Sequence, residues 1–410
     1  MRGPLLFIIL TVTIDMFGVG LAWPILPQLV REVSDTDVSD AALIYGVLMS
    51  GFAAIQFLVS PFIGMLSDRY GRRPVLLLSL VGLGIDYVIL ALAPNLWWLV
   101  VARVVAGLFS ATVSTANAYI ADITPPKDRA AAFGLLGAAF GVGFTAGPLV
   151  GGVLGQVDLQ APFVLAAILA FANAVFGYFV LPESLPAEKR KPIELRRANP
   201  FAAFAYIRRY NALLIMMVAL LLTGFAQQGL QGIWVLWTEA RFGFGVAEAG
   251  YSLAWVGVCM AVVQGWLVRV VVPRFGERRV LYGGYVISTI AFATLPFLNA
   301  GWQLYPGIAF HIVGWGCAGP ALTAIMSQNV PDAEQGLLQG VLTSVNTIAM
   351  ITGPLLATQV FALSTGPDPV FSNVGTFYFL GAAFFVVTLV IVGIDGRRRR
   401  LSASAAGAGA

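Results

Sequence analysis

Apolar stretches of about 20 residues, each long enough to cross a 30 Å hydrocarbon core, recur along the whole 410-residue chain. They fall at 4–28, 41–64, 74–93, 96–120, 132–155, 161–181, 211–236, 248–272, 280–298, 303–327, 336–363 and 374–395. Each predicts a membrane-spanning helix, because a helix satisfies its own backbone where no water can. The first stretch is not read as a cleaved leader. It holds Asp15 and prolines, lacks a small-residue cleavage site, and leads into a chain that is apolar throughout.

Composition removes most other classes. Hydrophobic residues make up 59% of the chain and charged residues 11%, against about a quarter charged in soluble domains. So few charges cannot cover a water-facing surface. Cys259 and Cys317 sit in apolar stretches and His311 is the single histidine, so neither a disulfide framework nor a metal cluster is expected. No Gly-rich phosphate loop and no nucleophile–base constellation is present, so no catalytic residues, no cofactor and no enzyme activity are expected. The net charge of +4 does not point to nucleic acid, because the basic residues are dealt out loop by loop. All but three of the 24 Lys and Arg fall in alternate loops, the exceptions being Arg31, Arg103 and Arg241. Lys and Arg favour cytoplasmic loops, which predicts both termini inside and the loops 29–40 and 237–247 outside.

The polar stretch Pro182 to Arg209 divides six spans from six, and the halves are repeats. Ser67-Asp68-Arg69-Tyr70-Gly71-Arg72-Arg73-Pro74-Val75-Leu76 aligns with Val272-Pro273-Arg274-Phe275-Gly276-Glu277-Arg278-Arg279-Val280-Leu281. Ala146-Gly147-Pro148-Leu149 aligns with Thr352-Gly353-Pro354-Leu355 in nearly the same register. Parallel duplication of a six-span unit predicts the major facilitator plan, with the substrate site between the halves. The expected organisation is an N-terminal six-helix bundle over 1–181 and a cytoplasmic linker over 182–210. A C-terminal six-helix bundle over 211–396 and a disordered tail over 397–410 follow.

Several motifs carry a closer resemblance. They are Gly64 to Arg73, Asp15 to Leu21 with Pro24 to Pro27, Arg103 to Gly107, Ala118 to Thr124, Gly143 to Gly152, Trp234 to Glu239 and Glu334 to Gly340. Together they resemble the drug/proton antiporters of the major facilitator superfamily, specifically the tetracycline/proton antiporter subfamily, over roughly residues 5–360. The resemblance implies a charge clasp at the cytoplasmic surface made by Asp68, Arg69, Gly71, Arg72, Arg73 and Asp122. It implies an antiporter motif in Gly143, Gly147, Pro148, Gly151 and Gly152, which favours efflux over uptake. From spacing alone those residues fit tight helix packing equally well.

Charges within spans are costly and usually face a partner or a water-filled cavity. Asp15, Asp86 and Arg103 are the three clear ones. A buried structural ion pair would account for them; so would proton handling, because desolvation favours a neutral carboxylate and a nearby arginine favours a charged one. The resemblance implies the second and makes them the proton-coupling residues. Gln227, Gln231 and Trp234 lie on one stripe of span 7 and suit an amphiphilic ring compound, although a tryptophan near a span end also serves as an interfacial anchor. Gln56, Asn117 and Asn346 are further cavity candidates. His311 is a candidate too, though such a residue is more often a packing residue. One departure stands out: the resemblance implies an acid in span 9 for metal–drug and proton handling, and Ser288 occupies that position.

The expected protein is thus an all-α polytopic secondary transporter of the cell membrane, functional as a monomer. It exchanges protons for an amphiphilic small molecule such as a tetracycline-like drug. Import or facilitation of a native metabolite, or a non-transporting receptor on the same fold, are the alternatives.

Overall fold

Apolar runs this long satisfy their own backbone as helices, and the computed structural model, described at residues 2–193, 211–331 and 334–408, is built of helices joined by short turns and loops. Among the described residues, twelve helices are long and apolar enough to cross a membrane. Large apolar side chains such as Val47, Leu58, Val142 and Phe179 are exposed along them, as expected of surfaces that face lipid rather than water.

The first half consists of α1 (Arg2–Ala22), α2 (Leu26–Ser34), α3 (Val38–Tyr70), α4 (Arg72–Ala91), α5 (Leu96–Phe109), α6 (Thr112–Ile123), α7 (Arg129–Gly155) and α8 (Ala161–Val180). The second consists of α9 (Asn211–Phe242), α10 (Val246–Val262), α11 (Val268–Phe275), α12 (Glu277–Thr294), α13 (Leu304–Ser327), α14 (Gln335–Thr365) and α15 (Thr376–Ala408). Two spans that read as continuous are broken. Span 1 ends at Ala22 because the residue before Pro24 is biased away from helix, and α2 restarts with Pro27 in its first turn. Span 4 breaks between Phe109 and Thr112. Span 8 carries a π-helical turn at Val263–Leu267. Asp37 and Asn95 cap α3 and α5, accepting from Asp40 N at 2.8 Å and Trp97 N at 3.2 Å. The last helix runs on to Ala408, through Ala- and Arg-rich sequence of high helix propensity where low complexity predicts disorder.

The chain divides into two compact units, Met1–Pro200 with Thr238–Val258, and Phe201–Trp237 with Cys259–Ala410. The sequence boundary places 238–258 with the second bundle, whereas these residues pack on the first. The cause is local. A Cβ on Gly152 would strike Val246 O, Ala247 and Gly250, and one on Gly250 would strike Pro148 O. Arg31 of α2 also pairs with Glu239 at 2.6 Å. In the first unit Phe7, Ile8, Val12 and Met16 of α1 pack on Tyr119, Ile120, Leu136 and Ala139. In the second, Phe292 sits among Tyr378, Phe385 and His311, with ring centroids 5.1 to 5.8 Å apart.

Candidate transport site

The three charges inside spans occupy two different environments in the first unit. Arg103 of α5 donates through one terminal nitrogen to both Asp86 oxygens, each at 3.1 Å, and lies over the Phe52 ring at 5.8 Å. The Arg103 Nε is buried without an acceptor, so the pair is not a full two-point fork. Asp15 of α1 is also buried and has no hydrogen bond or ion pair among the described residues. One acid thus carries its counter-charge and the other does not. Sequence reading missed what lies beside them. Tyr87 is within electrostatic reach of Asp15, Asp86 and Arg103, its hydroxyl packs against Gly18 one turn from Asp15, and Tyr45 is within reach of Arg103. Both tyrosines sit in apolar runs and carry no charge signal. Gly18, which leaves room for a hydroxyl, is the only local hint.

At the α3–α4 loop the contacts differ from the expected clasp. Arg72 is its hub: NH1 meets Asp68 Oδ1 at 2.6 Å, Nε meets Asp122 Oδ2 at 3.1 Å, and NH1 donates to Ser67 Oγ at 3.2 Å. Among the described residues, Arg69 and Arg73 make no ion pair in this network. Arg69 lies over the neighbouring Tyr70 ring, and Arg73 turns to α8, donating to Tyr178 O at 2.5 Å. Gly71 adopts φ 110°, open to glycine at little cost, and a Cβ there would strike the Glu183 carboxylate.

Glu183 is the residue the sequence did not reveal. Its carboxylate accepts from Arg72 N at 2.8 Å, Arg73 N at 3.2 Å, Ser184 N at 2.9 Å and Leu185 N at 3.0 Å. It thereby caps the start of α4, where a helix presents free N–H groups and favours an anion. Tyr119 donates to Pro182 O at 2.8 Å, Ser184 Oγ to Asp122 at 3.3 Å, and Lys191 N to Asp68 O at 3.1 Å. Residues 182–191 therefore form a strap over the loop. The described contacts of Asp68, Arg72 and Asp122 all lie within the first unit.

The glycine motif of α7 forms a ladder on α1. Added Cβ atoms on Gly143, Gly147 and Gly151 would strike the carbonyl oxygens of Thr13, Phe17 and Leu21 in turn. Pro148 packs on Gly20, and Gly152 turns to α10. The motif thus brings three helix backbones together, and it flanks the α1 turn that carries Asp15.

In the second unit the candidate polar groups within spans are neutral. His311 Nε2 and Gln227 Oε1 are 3.0 Å apart, and the other ring nitrogen is buried without a partner. Trp234 is buried beside Trp237, with centroids 5.8 Å apart, rather than anchored at a surface. Gln231 is half-buried, whereas Asn346 is exposed on α14. In the first unit Gln56 is half-buried and Asn117 donates to Val113 O of its own helix at 3.0 Å. Of the cavity candidates, the structure brings Gln227 and His311 into direct contact. Ser288 is fully buried, its Oγ against Gly314 of α13. The repeat of the charged loop is degraded. Pro273 stands for Asp68, Gly276 keeps φ 79°, and Glu277 accepts from Gln328 at 3.3 Å. Among the described residues no group of three His, Cys, Asp or Glu is placed to hold a metal.

Twelve spans among the described residues, an internal repeat and three charges placed at mid-span fit a polytopic transporter, and comparison with known proteins agrees. The Major Facilitator Superfamily profile matches residues 8–354. The tetracycline resistance protein of class C from Escherichia coli is 40% identical over 95% of this chain and 96% of its own length. The class B protein of Escherichia coli is 34% identical over 92% of both. Among solved structures, the nucleoside transporter NupG superposes with a TM-score of 0.77 at 14% identity, over 95% of this chain and 98% of that one, a likeness of fold. The chain belongs to the major facilitator superfamily, in the group of the tetracycline resistance proteins. It is a multi-pass membrane transporter of the drug-efflux class, and its substrate is a small molecule.

Proposed function

We propose that protons exchange at Asp15 and at the Asp86–Arg103 pair, and that this exchange drives export of an amphiphilic ring compound. The observation that carries the reading is the contrast between two buried acids within reach of one tyrosine, the first without a cation and the second with one. A coupling site must hold its proton in one state of the cycle and release it in the other. An acid that trades between an unpaired and a paired environment meets that requirement, and Tyr87 brings a hydroxyl within electrostatic reach of both acids. The cycle needs no cofactor beyond the proton gradient, and the protein works as a monomer of two six-helix bundles. Both termini lie in the cytoplasm of a cell whose inner membrane holds the chain. Cysteine placed at Asp37 then labels from outside in intact cells.

The relatives' names make tetracycline-like compounds the first candidates. With Ser288 sealed against Gly314 where the resemblance implies an acid, we propose a substrate carried without a bound divalent metal. Proteoliposome transport tests both parts. Asp86→Asn abolishes accumulation under a pH gradient while downhill exchange and substrate binding persist; Asp15→Asn does the same. If both variants still concentrate substrate, the coupling site lies elsewhere. Strict magnesium dependence of tetracycline transport by the unmodified protein would remove the metal-free substrate.

A further inference from the structure

We propose that the groove between α4 and α8 holds a phospholipid with an anionic headgroup, its phosphate on Arg73 and an acyl chain along the helix faces. The groove measures about 440 Å³ and is lined by Arg73, Pro74, Leu77, Leu78, Val81 and Tyr178. Its flank is open: Leu78 is 58% and Tyr178 60% exposed. In a bilayer such a surface is a track for lipid tails.

The charge at one end distinguishes this groove from a merely lipid-facing wall. Arg73 has a carbonyl at 2.5 Å and the Tyr178 ring at 5.4 Å, and among the described residues it has no carboxylate partner. Its neighbour Arg72 has two, Asp68 and Asp122. Glu183 approaches Arg73 through the backbone N–H and shares its oxygens among four such donors. One arginine of the tandem is thus neutralised while the other is left cationic at the mouth of an apolar track. A fixed guanidinium recognises a phosphate by charge-assisted hydrogen bonds, and the track takes the tail. Soluble phosphate could use only the first and a neutral lipid only the second. Exposed Lys189, Arg190 and Lys191 add positive charge to the strap, whose Lys191 N–H reaches Asp68 O in the same loop. Each such residue near a membrane surface favours anionic lipid.

The inference stands on the groove and its charge, not on transport, so binding tests it separately. Full-length protein reconstituted with equal phosphatidylglycerol and phosphatidylcholine is delipidated, and retained lipid is read by native mass spectrometry. Preferential retention of phosphatidylglycerol is expected, with no competition from inorganic phosphate. Arg73→Gln is expected to lower that retention about fivefold. Leu78→Trp, and independently Val81→Trp, fill the track with the charge intact and lower it as well. Arg278→Gln, the repeat counterpart of Arg73, leaves it unchanged. Equal retention of the two lipids by the wild type, equal losses in Arg73→Gln and Arg278→Gln, or full retention in both tryptophan variants would each overturn the proposal.

Discussion

The two halves of this chain share a plan and differ in what it carries. In the first half α7 lies on α1 through three successive glycines; in the second, α14 meets α9 through Gly353 and Pro354 against Gln228, Gly229 and Gly232. The first half keeps Asp86–Arg103, an unpaired Asp15 and a loop organised by Arg72. The second keeps the positive-φ glycine of the loop but replaces ions with the neutral pair Gln227–His311 and a proline at 273. The two copies share a scaffold, and the mid-span charges lie on the first. Each ionised group in a span is expensive, and among the described residues the mid-span ions sit in the first half while the corresponding contacts of the second are neutral.

The strongest way to break this comparison is to unbalance the charged half. Arg103→Gln strands Asp86 and should cost about 3–5 kcal/mol, as for a buried pair that loses one partner. Arg103→Gln with Asp86→Asn should recover most of that stability without recovering gradient-driven transport, read by thermal unfolding beside vesicle uptake. Equal stability of the single and double variants would mean the pair is not coupled as described.

Overpacking compares the two ladders. Gly147→Ala puts a methyl against Phe17 O and Gly20, which is expected to cost about 1–3 kcal/mol. Gly353→Ala meets Gln228 Cβ and Gly229 N at 2.9 and 3.1 Å, farther than the 2.5 and 2.7 Å at Gly147, and should fall at the low end of that range. A larger loss at Gly353 would reverse the assignment of the tighter seam.

The loop comes next. Glu183→Ala removes a helix cap and should cost about 1–2 kcal/mol while slowing turnover. Asp68→Asn should slow turnover with substrate affinity little changed. Measured together, the double variant should be less than additive, since both residues act through the Arg72 loop. The smallest effect is expected in the neutral half. His311→Gln keeps a polar partner for Gln227, so coupling stoichiometry should stay at the wild-type value and stability should change by about 1 kcal/mol or less. A lost pH dependence in that variant would move proton handling into the second half.

The spans, the repeat and the mid-span charges were legible because hydropathy and charge are local properties of the sequence. The roles within the charged loop were not. Arg69, Arg72 and Arg73 are chemically alike and close together, and only the turn at Gly71 decides that Arg72 faces Asp122 while Arg73 faces Tyr178. Glu183 lies 111 residues from the N–H of Arg72 that it binds, a distance no pattern reading bridges. Tyr45 and Tyr87 lie in apolar runs and carry no formal charge, which hid them beside the acids. Ser288 was readable as a missing acid, but its burial against Gly314 was not, so replacing it with aspartate puts a charge into a helix seam rather than into an open site.

The strap at 182–191 has a practical consequence for anyone who cuts this protein in two. A polypeptide divided before Pro182 leaves its amino-terminal piece without Glu183, so α4 begins uncapped and Gly71 is free to relax. A division after Lys191 keeps the cap with the helix it serves. Co-expressed fragments of the second kind should reassemble into active protein, whereas fragments of the first kind should depend on the carboxy-terminal piece to lend back a carboxylate. The end of the first bundle, judged by what folds it, therefore lies past the last residue of its sixth span.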